Sequence, residues 1–177
     1  MTRQHLPMLI ATPMGQTPRC LVSWDQDSHV VSARVLREPV EPANLAGHIN
    51  SALIQAQPER RLMVGDLDLL LDRQGLLTSL EIRVGPRASW HALALPSIVN
   101  AQGPVDIAFD TLFDNNGIAV LETNVMVAFV SVASEFSFRI DGPASTRYLR
   151  LADNIYFGTN ASGRLSEVRI VTASIAT

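Results

Sequence analysis

Lysine is absent from this 177-residue chain; all 14 of its basic side chains are arginine. That removes Schiff-base chemistry and lysine clamps on phosphate, so an enzyme built from it would rely on Arg, Asp, Glu and His. Cysteine occurs once, as Cys20, which excludes an intramolecular disulfide and a metal site of several thiolates. Set between Arg19 and the apolar pair Leu21-Val22, it reads as a buried structural thiol. Charge is scarce at 18%, and the formal net charge is −3, a balance that argues against a surface for nucleic acid or anionic membrane. The pair Arg60-Arg61 reads as solvated loop charge.

Long apolar runs are missing as well. The longest strongly apolar, charge-free stretch, Thr123 to Ser134, is too short for a membrane-spanning helix, which needs about 20 residues. The N-terminal apolar run is short and carries Pro7, so it makes a poor secretory signal. The four histidines, His5, His29, His48 and His91, include no pair one helical turn apart, the spacing a zinc-binding helix requires. Nucleophile elbow, dinucleotide loop and phosphate loop are all lacking. The expectation is a cytoplasmic protein with no cofactor and no metal, and with neither nucleic acid nor membrane among its partners.

What is present is β-forming pattern. Residues 70–82, Leu-Leu-Asp-Arg-Gln-Gly-Leu-Leu-Thr-Ser-Leu-Glu-Ile, read as strand, tight turn and strand. Aligning Gly75 with Gly163 superposes a second such unit at 158–170 without a gap: Leu67 falls on Ile155, Leu69 on Phe157, Asp72 on Asn160, Leu77 on Leu165, Leu80 on Val168 and Ile82 on Ile170. Coincident apolar positions are what a shared strand register requires. A third unit turns at Asp114-Asn-Asn-Gly117, and a fourth, without glycine, turns near Asp25 to Ser28, where His29 takes the glycine's place. The turns begin near residues 25, 72, 114 and 160. Four units at this spacing, with the second and fourth most alike, divide the chain into halves 1–88 and 89–177.

One helix is predicted over 42–57, where Pro42 opens, Leu45, Ile49, Leu53 and Ala56 share a face, and Pro58 stops the run. Alternation around Val125–Val132 and Phe136–Ile140 predicts two further strands, followed by a turn at Asp141-Gly-Pro and a strand at Tyr148-Leu-Arg-Leu. Prolines 86, 96 and 104 make the intervening stretch a crossover between the halves. The fold class expected is mainly β, of α+β kind: antiparallel sheets from two pseudo-duplicated halves of β-hairpins with one helix, in a single compact domain over 1–177.

Few residues point at chemistry. Asp66 and Asp68 lie two apart on an expected strand, so both would share one face, as acid–base or cation-binding carboxylates do; the plainer reading is a solvated face opposite Leu67, Leu69 and Leu71. Asp106, Asp110 and Asp114 share only even spacing. Of the aromatics, Trp24, Tyr148 and Tyr156 fit a β core or edge, whereas Trp90, with Arg87 and His91 in the crossover, is the partner-binding candidate, because Trp and Arg dominate interface hot spots.

The motif Asp72-x-x-Gly75-x-Leu77-x-x-Leu80-Glu81-Ile82, with its counterpart Asn160-x-x-Gly163-Arg164-Leu165-x-x-Val168-x-Ile170, resembles a hairpin of small bacterial proteins, some of immunity type, encoded beside polymorphic toxins. It is also similar to the tyrosine–aspartate repeats of large toxin shells, although the spacing here is much wider. The first resemblance implies a non-catalytic protein-binding module, an immunity or inhibitor protein that occludes a toxin. Two alternatives stand beside it: a small-ligand binder or enzyme with a cavity between the halves, rimmed by Asp66, Asp68 and arginines, and a structural subunit of a homo-oligomer joined through β edges.

Overall fold

The computed structural model describes residues 6–37, 59–85, 101–130 and 135–171, together with residues 44–46, 49, 52 and 98. Thirteen strands follow in order: β1 (Met8–Pro13), β2 (Arg19–Asp25), β3 (Val30–Leu36), β4 (Arg60–Val64), β5 (Leu67–Leu71), β6 (Leu77–Arg83), β7 (Val105–Asp110), β8 (Ile118–Leu121), β9 (Val125–Val130), β10 (Glu135–Ile140), β11 (Arg147–Ala152), β12 (Ile155–Thr159) and β13 (Leu165–Val171). The protein is mainly β, as its alternating pattern predicts. Helical backbone at Leu45, Ala46, Ile49 and Ala52 falls within the helix expected over 42–57, Asn44 is a bend, and the other positions lie outside the described residues.

The strands form a six-stranded sheet in the order β2-β3-β6-β5-β4-β8, a five-stranded sheet in the order β11-β12-β13-β10-β9, and a two-stranded ribbon of β1 and β7. Among the described strands, every ladder is antiparallel except that of β4 with β8. Read from the other end, β4-β5-β6-β3-β2 and β11-β12-β13-β10-β9 are one succession. Registers correspond too: Val31 faces Ile82 as Phe136 faces Ile170, and Ser32 faces Glu81 as Ser137 faces Arg169. The connections differ at one place. Residues 37–59 join β3 to β4, whereas only 141–146 join β10 to β11.

Period-2 alternation decides which residues turn inward. Leu67, Leu69 and Leu71 of β5, Leu80 and Ile82 of β6, Phe136 and Phe138 of β10, and Val168 and Ile170 of β13 are all buried, and they meet Ile107 and Phe109 of β7 in one hydrophobic cluster. Phe136 stacks on Phe138 with centroids 5.7 Å apart, and Trp24 lies 6.0 Å from Phe136. Burying a side chain of this size contributes about 1.5–3 kcal/mol, so this seam between the sheets is the main source of stability. Cys20 packs at its edge, where burial pushes the thiol up to about 11, which keeps it protonated at neutral pH.

The repeated motif is a turn with a fixed set of hydrogen bonds. At Asp72 the backbone N–H donates to Leu76 O at 2.8 Å, Gly75 N–H donates to Asp72 O at 2.9 Å, and the Asp72 carboxylate accepts from the N–H groups of Gln74 and Leu76 at 2.8 and 2.9 Å. The same four bonds recur at Asp114, and again at Asn160, whose side-chain oxygen replaces the carboxylate. Gly75, Gly117 and Gly163 sit at φ of +86°, +78° and +74°, as a three-residue hairpin loop closing in a glycine bulge requires. The fourth turn is built differently. Asp25 accepts from the backbone of Asp27 and from both donors of Ser28, and His29 takes the positive φ, at 54°.

Two expectations are corrected. The unit at 107–122 is a strand, turn and strand but not a hairpin, because β7 pairs with β1 while β8 adds to β4. Arg60 and Arg61 are not loop charges. They lie on β4, where Arg60 covers the Phe113 ring at 5.3 Å and Arg61 pairs with Asp68.

Candidate functional site

The outward face of the five-stranded sheet carries the principal charged network. Glu167 and Arg169 lie two apart on β13, and Glu135, Ser137 and Arg139 alternate on β10, so all five leave the sheet on the side opposite Phe136, Phe138, Val168 and Ile170. Glu167 is only 3% exposed and Arg169 only 1%. Such burial is tolerable only when each charge is paired and hydrogen-bonded. Glu167 Oε1 accepts from Ser137 Oγ at 2.5 Å and from Arg169 Nε at 2.8 Å, and its Oε2 accepts from Tyr148 Oη at 2.6 Å. Arg169 also donates to Tyr148 Oη at 3.1 Å, lies 3.3 Å from Glu135 Oε1, and stacks over the Tyr148 ring at 5.0 Å.

These contacts set the protonation states. Burial alone would raise the Glu167 carboxyl, but donation by Ser137, Tyr148 and Arg169 outweighs it and holds the group below its ordinary range. Tyr148 moves the other way, raised first by burial and then by its bond to the Glu167 carboxylate. Glu167 is therefore an ionised acceptor of three hydrogen bonds from its own sheet, and Tyr148 is a committed donor. Neither group is poised to move a proton near neutral pH.

Beside this network a cleft of about 1090 Å³ opens along β9. It is lined by β9 with Asn124, by Asp66 and by the end of β6 at Arg83. Arg139, Asp141, Tyr148 and Glu167 also line it. Arg139 forms an ion pair with Glu167 at 3.6 Å, longer than a hydrogen bond. β9 closes the five-stranded sheet with an edge that no described strand covers. It carries no charge along Val125-Met-Val-Ala-Phe-Val130.

The carboxylates singled out in the sequence separate in space. Asp66 is not on a strand; it occupies the turn between β4 and β5, where Gly65 at φ +56° takes the first central position, as a tight two-residue hairpin loop demands. From there Asp66 reaches the cleft, whereas Asp68 stays on β5 and its carboxylate is taken by Arg61. Asp106 binds Arg37, whose Nε lies 2.9 Å from its Oδ1, and Asp114 serves its turn. Trp90, Arg87 and His91 lie outside the described residues. Among the described residues no three His, Cys, Asp or Glu side chains gather as metal ligands, and no helix is long and apolar enough to cross a membrane.

Sequence reasoning missed Glu167, Arg169 and Arg139. Their signal was present in Phe136-Ser-Phe-Arg-Ile140 and Ser166-Glu-Val-Arg-Ile170, two strands placing opposite charges on one face. The sequence matches no protein-family model and no curated protein.

Proposed function

We propose that the chain is a non-catalytic protein-binding module of immunity or inhibitor type, built by internal duplication and acting in a bacterial cytoplasm. The observation that carries this reading is the cleft along β9. It offers recognition groups and a strand edge that no described strand covers, while the most buried charges beside it are held by their own sheet. A volume of about 1090 Å³ stands at the top of the ~300–1,000 Å³ typical of small-molecule sites, which favours a segment of a macromolecule as guest. The common strand succession of the two large sheets supports duplication. The resemblance of the Asp-x-x-Gly hairpins to those of immunity-type proteins supports the class of partner. The test is genetic: deletion should be tolerated only together with an adjacent toxin gene, and a viable single deletion with no such neighbour would sink the immunity assignment.

A second reading rests on Asp66, Arg83 and Arg139 lining that cleft, an arrangement that also suits a small polar ligand. It predicts that Asp66→Asn removes ligand binding without lowering the melting temperature, and that Asp68→Asn leaves binding intact.

A further inference from the structure

The guest's conformation and charge pattern follow from the register of β9. Asp141 N–H donates to Asn124 O at 2.9 Å, so Asn124 and Asp141 are a hydrogen-bonded antiparallel pair, and Met126 with Arg139 and Ala128 with Ser137 continue the series. The residues between them, Val125, Val127 and Phe129, therefore aim their N–H and C=O groups away from β10 and along the free edge. An extended chain laid there would satisfy those groups as one more strand. Its side chains on the outward face would lie beside Asn124 and Met126, with Asp141 and Arg139 one strand further in, short of Ala128 and Ser137, which are already buried.

We infer, resting on the protein-binding reading, that the cleft receives an extended segment of a partner protein that adds to β9 and carries a basic and an acidic side chain two residues apart. The acidic group faces Arg139, whose guanidinium lies 3.6 Å from Glu167 in an ion pair longer than a hydrogen bond. The basic group faces Asp141, with Asp66 a second carboxylate lining the same cleft. The strand itself contains no charge that would repel an incoming backbone.

The experiment uses the full chain labelled with ¹⁵N and three synthetic heptapeptides of alternating valine: one with Lys and Glu at adjacent outward positions, one with two Lys, one with two Glu. Saturable shifts centred on residues 124–128 are expected, with the mixed peptide about fivefold tighter than either like-charged one, the size of favourable cross-strand pairs. Val127→Pro should abolish binding while keeping a cooperative melting transition, lowered only by the lost packing of Val127 on the core, since that N–H points away from β10 and edge strands accept proline. Arg139→Gln should erase the preference for the mixed peptide. Binding insensitive to Val127→Pro would overturn the β9 assignment while leaving a protein-binding function in place. Absence of binding by all three peptides overturns the inference, and so does a concentration-dependent dimer that Val127→Pro dissolves, which would make a second copy the occupant.

Discussion

The outward faces of the two large sheets share a strand succession and differ in almost everything else. On the six-stranded sheet the positions matching Ser137, Arg139, Glu167 and Arg169 are Ser32, Arg34, Ser79 and Glu81. Arg34 and Glu81 are exposed, and Ser32 bonds to its small neighbour Ser23, Oγ to Oγ at 2.7 Å. On the five-stranded sheet the same places hold a buried carboxylate and a buried guanidinium tied to Tyr148. One scaffold thus supports a solvated face and a committed polar layer. The difference lies in side chains, since backbone register is common to both.

The largest test of that contrast is Arg169→Ala. It strands Glu167 in a buried site and should lower unfolding free energy by about 3–5 kcal/mol, whereas Glu81→Ala at the matching position should stay within about 0.5 kcal/mol. Urea denaturation measures both, and equal losses would erase the distinction between the faces. Next come the turns. Gly117→Ala places a Cβ 2.7 Å from Glu59 O at φ +78°, while Gly163→Ala meets nothing nearer than 4.0 Å at φ +74°. Gly163→Ala should cost about 1–2 kcal/mol from the left-handed backbone alone, and Gly117→Ala more, read as melting temperatures. Asp72→Ala removes two acceptor contacts worth about 0.5–1.5 kcal/mol each, and Asp114→Ala should match it if the turns are equivalent.

The pH test is the subtlest. The folded carboxyl of Glu167 lies below its ordinary value, so its contribution is complete above the unfolded value of ~4.3 and is lost as pH falls through the lower folded value. Glu167→Gln should reduce stability at pH 7 and flatten the acid limb of the stability curve. An unchanged slope would show that the network does not govern acid unfolding.

Much of this architecture was legible because local chemistry wrote it. Asp72, Gly75, Asn160 and Gly163 announce their turns, and Leu67, Leu69, Leu80 and Ile82 announce one inward face with its register. Asp114 and Gly117 show the limit of such reading. Their turn forms as its sequence dictates, yet local bonds do not choose partners, and β7 and β8 go to different sheets. Strand β1 was silent, since Met8-Leu-Ile-Ala-Thr-Pro13 becomes a strand only by pairing with β7 about a hundred positions away. The charged layer was silent for a related reason. Glu167 and Arg169 look like any solvated alternation until β10 and β11 bring Ser137 and Tyr148 against them.

That distant pairing also governs how the chain can be made. Leu9 N–H donates to Gly163 O at 3.1 Å and Leu165 N–H donates to Pro7 O at 2.9 Å, so the last hairpin seats on the first strand. A ribosome adding about 5–20 residues each second releases β1 several seconds before β7 exists and longer before residue 163 emerges. Through that interval Leu9 and Ala11 lack their strand partners Phe109 and Ile107. Strand β1 must wait, without its ladder, for segments made long after it.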